Sequence, residues 1–246
     1  MKNPEKWLPT KYVFKGKQLR ANGDPRHVSP ASFLAADLVA RSFGDHIPRH
    51  CKGRLLDLGC GHVPLYEAYA SYMEENICSD WPNSIHHNPF LDTFTDLTQA
   101  LPFPPEAFDT IILSDVLEHI PNPEALWKEM GRILKKDGKL LLSVPFFYWI
   151  HEAPWDYFRY THFALERFAE QSGFKVILLE PSGGLPEIAA DVLAKLLMHL
   201  PILGRPMGSL LQRICLRAFR SGPGKRLSQR TSRYYPLGYF GVFQKV

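Results

Sequence analysis

The sequence predicts an α/β fold in which a mainly parallel sheet is covered by helices on both faces. Three observations predict it. From residue 54 onward, short apolar runs alternate with segments of helical period. The first of those runs leads straight into a glycine turn, Gly59-Cys60-Gly61. And 246 residues, 45% of them hydrophobic and 22% charged, make one large domain with enough apolar side chains for a sizeable core.

The elements follow in order. Ser29-Pro30 opens a helix through Phe43, and the chain before it reads as a flap. Arg54 to Leu58 is a first strand, too short for a helix, followed by a helix over 64–73. Asn76 to Ser79 is a second strand, Leu91 to Thr95 a weak third and Asp109 to Ser114 a strong fourth. Asn122 can then cap a helix whose first position is Pro123. Leu126, Trp127, Met130, Ile133 and Leu134 give it helical spacing, Lys135 and Lys136 complement its last turn, and Gly138 ends it. Lys139 to Val144 is a fifth strand, Thr161 to Ser172 a helix, and Phe174 to Leu179 a sixth strand.

A sheet of this kind binds ligands at the carboxyl ends of its strands, where the strand order reverses. The glycine turn stands at the first such end, since glycine lets a backbone approach a ligand closely. A third glycine, which a dinucleotide site wants three residues after Gly61, is replaced by Pro64, so NAD is disfavoured. Asp80 follows the second strand at the distance from Asp57 where an acid meets a ribose diol. Thr95-Asp96-Leu97 follows the third, with Asp96 placed to accept from an adenine amino group, and Ser114-Asp115-Val116-Leu117-Glu118-His119 follows the fourth.

RLLDLGCGHVP, ICSDW and the run from Phe94 to Phe146 together resemble the class I S-adenosylmethionine-dependent methyltransferases, specifically the type 11 methyltransferase-domain group. The resemblance covers residues 54–180. It implies a Rossmann-like sheet of seven strands, the last antiparallel and supplied by Tyr239 to Lys245, with S-adenosylmethionine as cofactor. It also implies contacts from Gly59 and Gly61 to the methionine moiety, from Asp80 to the ribose, from Asp96 and Leu97 to the adenine and from Ser114 to the amino-acid end. Asp57, Cys60, Trp81, Thr95, Val116 and His119 complete the expected cofactor set. The sequence GCGHVPLY and the segment HEAPWDYFRYT are similar to methyltransferases encoded with cell-surface polysaccharide pathways. The implied organisation is an N-terminal flap and helix (1–53), a cofactor-binding core (54–184), a basic amphipathic helical insertion (185–233) and a final strand region (234–246).

Methyl transfer to a hydroxyl requires the acceptor's proton to leave, for which histidine suits neutral pH. His151 is the first candidate base and His119 the second. Of the 15 residues from Phe146 to Tyr160, 9 are aromatic or His. Tyr148, His151, Glu152, Asp156, Tyr157, Arg159 and Tyr160 are the expected acceptor-binding residues, for a small or lipid-linked, sugar-containing molecule. The histidines His86, His87, His119, His151 and His162 invite a metal, but none are paired at i, i+4 on a helix, so no metal site is expected. SDVLEH replaces the [DNS]PP[YFW] motif of amino-directed nucleic-acid methyltransferases.

Charge is divided sharply. Residues 1–54 carry 11 Lys or Arg against 4 Asp or Glu, residues 55–186 carry 8 against 19, and residues 187–246 carry 10 against 2. In the last of these, Ile188, Val192, Leu193, Leu196, Leu197 and Leu200 form a broad apolar face beside a polar stripe of Glu187, Asp191 and Lys195. Met207, Leu210, Leu211, Ile214 and Ala218 repeat at helical spacing opposite Arg213, Arg217 and Arg220. Such a pattern suits an anionic membrane interface, a hairpin packed on its own domain or a dimer partner. RNA or protein acceptors, and a non-catalytic binding partner, are the competing readings, and nucleic acid ranks lowest. Four cysteines without paired spacing, and no signal-like or membrane-spanning run, predict a cytoplasmic protein, peripheral at the inner membrane face.

Overall fold

The computed structural model describes residues 1–82 and 88–246. An N-terminal hairpin of β1 (Tyr12–Lys15) and β2 (Gln18–Ala21) precedes the long helix α1 (Phe33–His50). The central sheet is built from β3 (Arg54–Leu58), β4 (Glu75–Asp80), β5 (Thr93–Phe94), β6 (Phe108–Ser114), β7 (Leu134–Pro145), β8 (Phe174–Ser182) and β9 (Gly238–Lys245). Between them run α2 (Tyr66–Tyr69), α3 (Pro123–Ile133) and α4 (His162–Gln171), and α5 (Leu185–Met198), α6 (Gly204–Phe219) and α7 (Gly222–Ser232) precede β9.

The strand order is β5-β4-β3-β6-β7-β9-β8. β9 lies antiparallel between β7 and β8, and the β3–β4, β3–β6 and β6–β7 pairs are parallel. This is the seven-stranded sheet with an antiparallel last strand that the sequence implies. Its order reverses between β3 and β6, which sets a crevice at their carboxyl ends.

Successive strand residues point to opposite faces, and both faces of the central strands β3, β6 and β7 are covered, so each of these carries an apolar run. Leu56, Ile111, Leu113, Leu140 and Leu142 pack with Trp127 and Met130 of α3 and Leu165 of α4. Their neighbours Leu55, Ile112 and Leu141 pack on the other side with Ala40, Phe43 and Ile47 of α1 and with Tyr12, Leu19 and Ala21 of the hairpin. The hairpin lies so close to α1 that a Cβ on Gly44 would stand 2.8 Å from Leu19 Cβ. A smaller cluster of Leu34, Ile188, Ala190, Leu216 and Leu237 holds α5 and α6 against α1.

Several boundaries depart from expectation. α3 stops at Ile133, and Lys135 and Lys136 belong to β7. Phe108 pairs with Leu134 and Thr110 with Lys139, so Gly138 sits in a strand irregularity, where a Cβ would meet the Lys135 carbonyl at 2.8 Å. The helix expected over 64–73 is one α-turn and a 3-10 turn, Ala70–Tyr72. The orientation of α5, open in the sequence, is settled here. Glu187, Asp191 and Lys195 are buried at 3%, 1% and 8% exposure, whereas Val192, Leu193, Leu196 and Leu200 are 53%, 46%, 64% and 49% exposed. The polar stripe faces the protein, and of the apolar residues Ile188 packs inward while Val192, Leu193, Leu196 and Leu200 look out.

Candidate active site

A cavity of about 1190 Å³ opens at the β3/β6 crevice, above the range of about 300–1,000 Å³ usual for small-molecule sites. Asp57, Gly59, Cys60, Gly61, Asp80 and Trp81 line one half, with Asp96, Leu97, Ser114 and Val116 beside them. His119, Tyr148, His151, Glu152, Trp155 and Tyr157 line the other. Thr10, Lys11 and Ser29, from the chain ahead of α1, roof it over.

The glycine turn is locked to the next strand. The Gly59 and Cys60 N–H groups donate to the Ser79 carbonyl at 2.8 and 3.1 Å. Gly59 has φ +72°, and a Cβ there would lie 2.7 Å from Val116 Cγ2, so only glycine keeps the backbone this close to the cavity wall. Asp57 is buried beneath the turn and accepts from Tyr69 Oη at 3.1 Å. Burial pushes its carboxyl up to about 7; the Tyr69 bond opposes this and the Asp80 charge adds to it. Asp80, 8% exposed, receives the Trp81 N–H at 2.8 Å. Asp96 is fixed by Thr98, whose N–H and Oγ1 donate at 2.9 and 2.7 Å. Thr95 does not line the cavity, since its Oγ1 accepts from Ser79 Oγ at 2.6 Å behind the wall.

This turn, with a carboxylate on the adjacent strand end, fits S-adenosylmethionine. The backbone supplies room and the carboxylate acceptors for a diol.

Opposite it, the segment 146–160 is clamped onto the 3-10 turn Leu117–His119. The Tyr157 N–H donates to the Glu118 carbonyl at 2.9 Å, and Tyr160 Oη donates to the Leu117 carbonyl at 3.0 Å. His119 Nδ1 donates to the Trp155 carbonyl at 3.0 Å. Trp155 meets Trp81 edge-on, ring centroids 5.6 Å apart, so the two halves of the cavity touch.

Asp156, Arg159 and Tyr160 do not line the cavity. Arg159 forks onto Asp156, its Nη2 donating at 2.7 Å, and holds that carboxyl well below the usual range. Asp156 in turn accepts the His151 N–H at 2.9 Å and faces its Nδ1 at 3.2 Å. These residues shape the loop that presents His151. Burial opposes charge on the His151 ring, but Glu118, Asp156 and Glu152 outweigh it and hold its pKa above the ordinary value.

Sequence reasoning passed over Glu118, which is fully buried 3.7 Å from His151 Nε2 and 3.8 Å from His119 Nε2. Burial raises its pKa, with the His151 contact opposing. The one available signal was its place immediately before His119. Lys11 was also missed; its Nζ lies 3.4 Å from Asp115 Oδ2. His86 and His87 lie outside the described residues.

A doubly wound sheet with its glycine turn and ribose-type acid at the crevice defines the class I S-adenosylmethionine-dependent methyltransferase fold. Residues 31–179 match the family described as methyltransferase domain, and the chain belongs to it. An uncharacterised protein of Methanocaldococcus jannaschii is 28% identical over 109 residues, 44% of this chain and 53% of that one. The ubiquinone biosynthesis O-methyltransferase of Xanthomonas euvesicatoria is 30% identical over 100 residues, 37% and 42% of the two chains. The matches thus span about half the length of these curated relatives. A solved methyltransferase from Archaeoglobus fulgidus shares the fold with a TM-score of 0.53 at 17% identity, covering 82% of this chain and 90% of that one.

Proposed function

We propose that the protein methylates an oxygen of a sugar-containing acceptor, small or lipid-linked, using S-adenosylmethionine. The observation that carries this reading is one cavity with a cofactor-type glycine turn and acid on one side, and two imidazoles among aromatic rings on the other. The bound cofactor supplies a methyl group already activated on a sulfonium. The protein's own task is alignment and exclusion of water, effects worth roughly 7–11 kcal/mol. Gly59, Gly61, Asp80, Asp96 and Ser114 would hold the cofactor. Tyr148, Trp155 and Tyr157 offer flat apolar faces to a sugar ring, and Glu152, half exposed, accepts from its hydroxyls. His151, its ring set by Asp156 and its basicity raised by Glu118, receives the acceptor proton, with His119 beside it.

α5, with these apolar residues outward, supports a membrane-associated acceptor. Its apolar face continues into a tip with Ile202 95% and Leu203 62% exposed, and α6 exposes Met207, Leu210 and Ile214 at helical spacing. Arg205, Arg213 and Arg217 are exposed on the same helix. Apolar side chains flanked by arginines suit an anionic bilayer surface. No helix among the described residues is long and apolar enough to cross a membrane.

Methyl-labelled S-adenosylmethionine with free or lipid-linked glycans tests the reaction. Label in the glycan, lost in Asp80→Ala, is expected; label only in RNA or protein would overturn it. Flotation with anionic vesicles, weakened in Leu196→Glu/Ile202→Glu, is expected. A concentration-dependent dimer without flotation would assign the same face to a second copy.

A further inference from the structure

We propose that Glu118, His119 and His151 form a binding site for a divalent transition-metal cation at the acceptor end of the cavity. Glu118 is fully buried, and neither of its carboxylate oxygens has a hydrogen-bond partner. A buried carboxylate without hydrogen bonds is costly unless something cationic meets it, either a protonated His151 or a bound cation. The groups nearest it are two ring nitrogens, His151 Nε2 at 3.7 Å and His119 Nε2 at 3.8 Å from Oε1. One ligand atom from each of the three residues lies within 4.8 Å of the others.

The other nitrogens of both rings are already oriented. A carbonyl can only accept, so the Trp155 contact fixes the proton of neutral His119 on Nδ1 and leaves a lone pair on Nε2. Nδ1 of His151 faces the Asp156 carboxylate, itself clamped by Arg159. The His119 ring is held from behind by a backbone carbonyl, an outer contact typical of metal-ligating histidines, and the Asp156 carboxylate stands 3.2 Å behind His151 Nδ1 without a hydrogen bond to it. Metal bonds of about 2.0–2.2 Å in tetrahedral array put donors roughly 3.4 Å apart. A cation would draw the two Glu118–imidazole pairs in by a few tenths of an ångström and the widest pair of the three, within 4.8 Å, by up to about an ångström more. Glu152 Oε2, 4.0 Å from His119 Nε2 and half exposed, stands at the open side.

Two imidazoles and one carboxylate select borderline cations such as Zn²⁺, Co²⁺ or Fe²⁺ over Mg²⁺ and Ca²⁺, which prefer oxygen. The inference deepens the proposed function and rests on it only for the role: with a cation in place the imidazoles are ligands, and a coordinated hydroxyl loses its proton more easily through the cation.

The experiment uses the full chain, stripped with chelator and titrated with Co²⁺ alone. One equivalent with the visible absorption of nitrogen-ligated cobalt is expected, displaced by Zn²⁺. Glu118→Gln and, separately, His119→Gln should weaken binding at least tenfold, and Asp156→Asn about 10–100-fold as an outer partner. S-adenosylhomocysteine affinity, measured on Glu118→Gln and Asp156→Asn, should not change, which separates this site from the cofactor site. Absence of stoichiometric binding, or binding unaltered in both Glu118→Gln and His119→Gln, would overturn the proposal. So would binding that is lost instead in His46→Gln, whose ring stacks on His50 5.6 Å away.

Discussion

The Lys195 ammonium, carried on α5, stands 3.7 Å from the centroid of the Tyr148 ring in the cavity wall. It also pairs with Asp191 one helical turn back, and both side chains are nearly fully buried. Burial lowers the Lys195 pKa and raises that of Asp191. Removing only one partner leaves a buried charge unmatched. Lys195→Met should therefore cost about 3–5 kcal/mol in urea denaturation. Lys195→Met/Asp191→Asn should recover most of that loss. Equal losses in the single and double variants would show that the pair is not coupled.

Gly59→Ala places a side chain at φ +72° and 2.7 Å from Val116. The strain is about 1–2 kcal/mol, and Val116 must move into the cavity wall. S-adenosylhomocysteine affinity should fall at least tenfold by calorimetry while the fold persists by circular dichroism. Unchanged affinity would place the cofactor elsewhere.

Asp57 gives the apo protein a pH signature. Its carboxyl is pushed up to about 7 by burial, against about 3.9 in an unfolded chain. Between these values the folded state holds the proton more tightly, so stability contributed by the neutral acid declines as pH rises from 4 toward 7 and levels off above. Asp57→Asn should remove that slope in thermal melts from pH 4.5 to 8. A variant that parallels the wild type would contradict the assignment.

The chain ahead of α1 can be tested without dismantling the fold. Deleting residues 1–28 removes Tyr12, Leu19 and Ala21 from the core and should destabilise strongly. Lys11→Met breaks the part-exposed bridge to Asp115, worth under about 1 kcal/mol, and the contact of the ammonium with the Tyr12 ring. A role in closing the cavity predicts that Lys11→Met lowers turnover several-fold with an unshifted melting temperature. Full turnover would leave this segment purely structural.

The centre of the sheet was legible because β3, β6 and β7 are buried on both faces, which leaves a continuous apolar run such as Ile111 to Leu113 whatever lies around it. The glycine turn was legible because its backbone excludes side chains. The β1–β2 hairpin was not, since Lys11, Lys15, Lys17 and Arg20 dilute its alternation; Gly16, at φ +63°, was the only turn mark. Glu118 reads as a surface acid until residues 146–160 fold over it. Which face of α5 turns inward was left open by the sequence, because Tyr148, which Lys195 of the polar stripe meets, lies on a separate segment. Local pattern fixes which side of a helix is apolar, and only distant partners decide which side is inside.

Among the described residues, β9 is the sole neighbour of β8 in the sheet. During synthesis, β8 therefore leaves the ribosome as an open edge and waits while all of α5, α6 and α7 is made, a matter of seconds at about 5–20 residues per second. For that interval an unpaired strand and a half-built helical cap are exposed together, which makes this stage the one at which a chaperone would matter most.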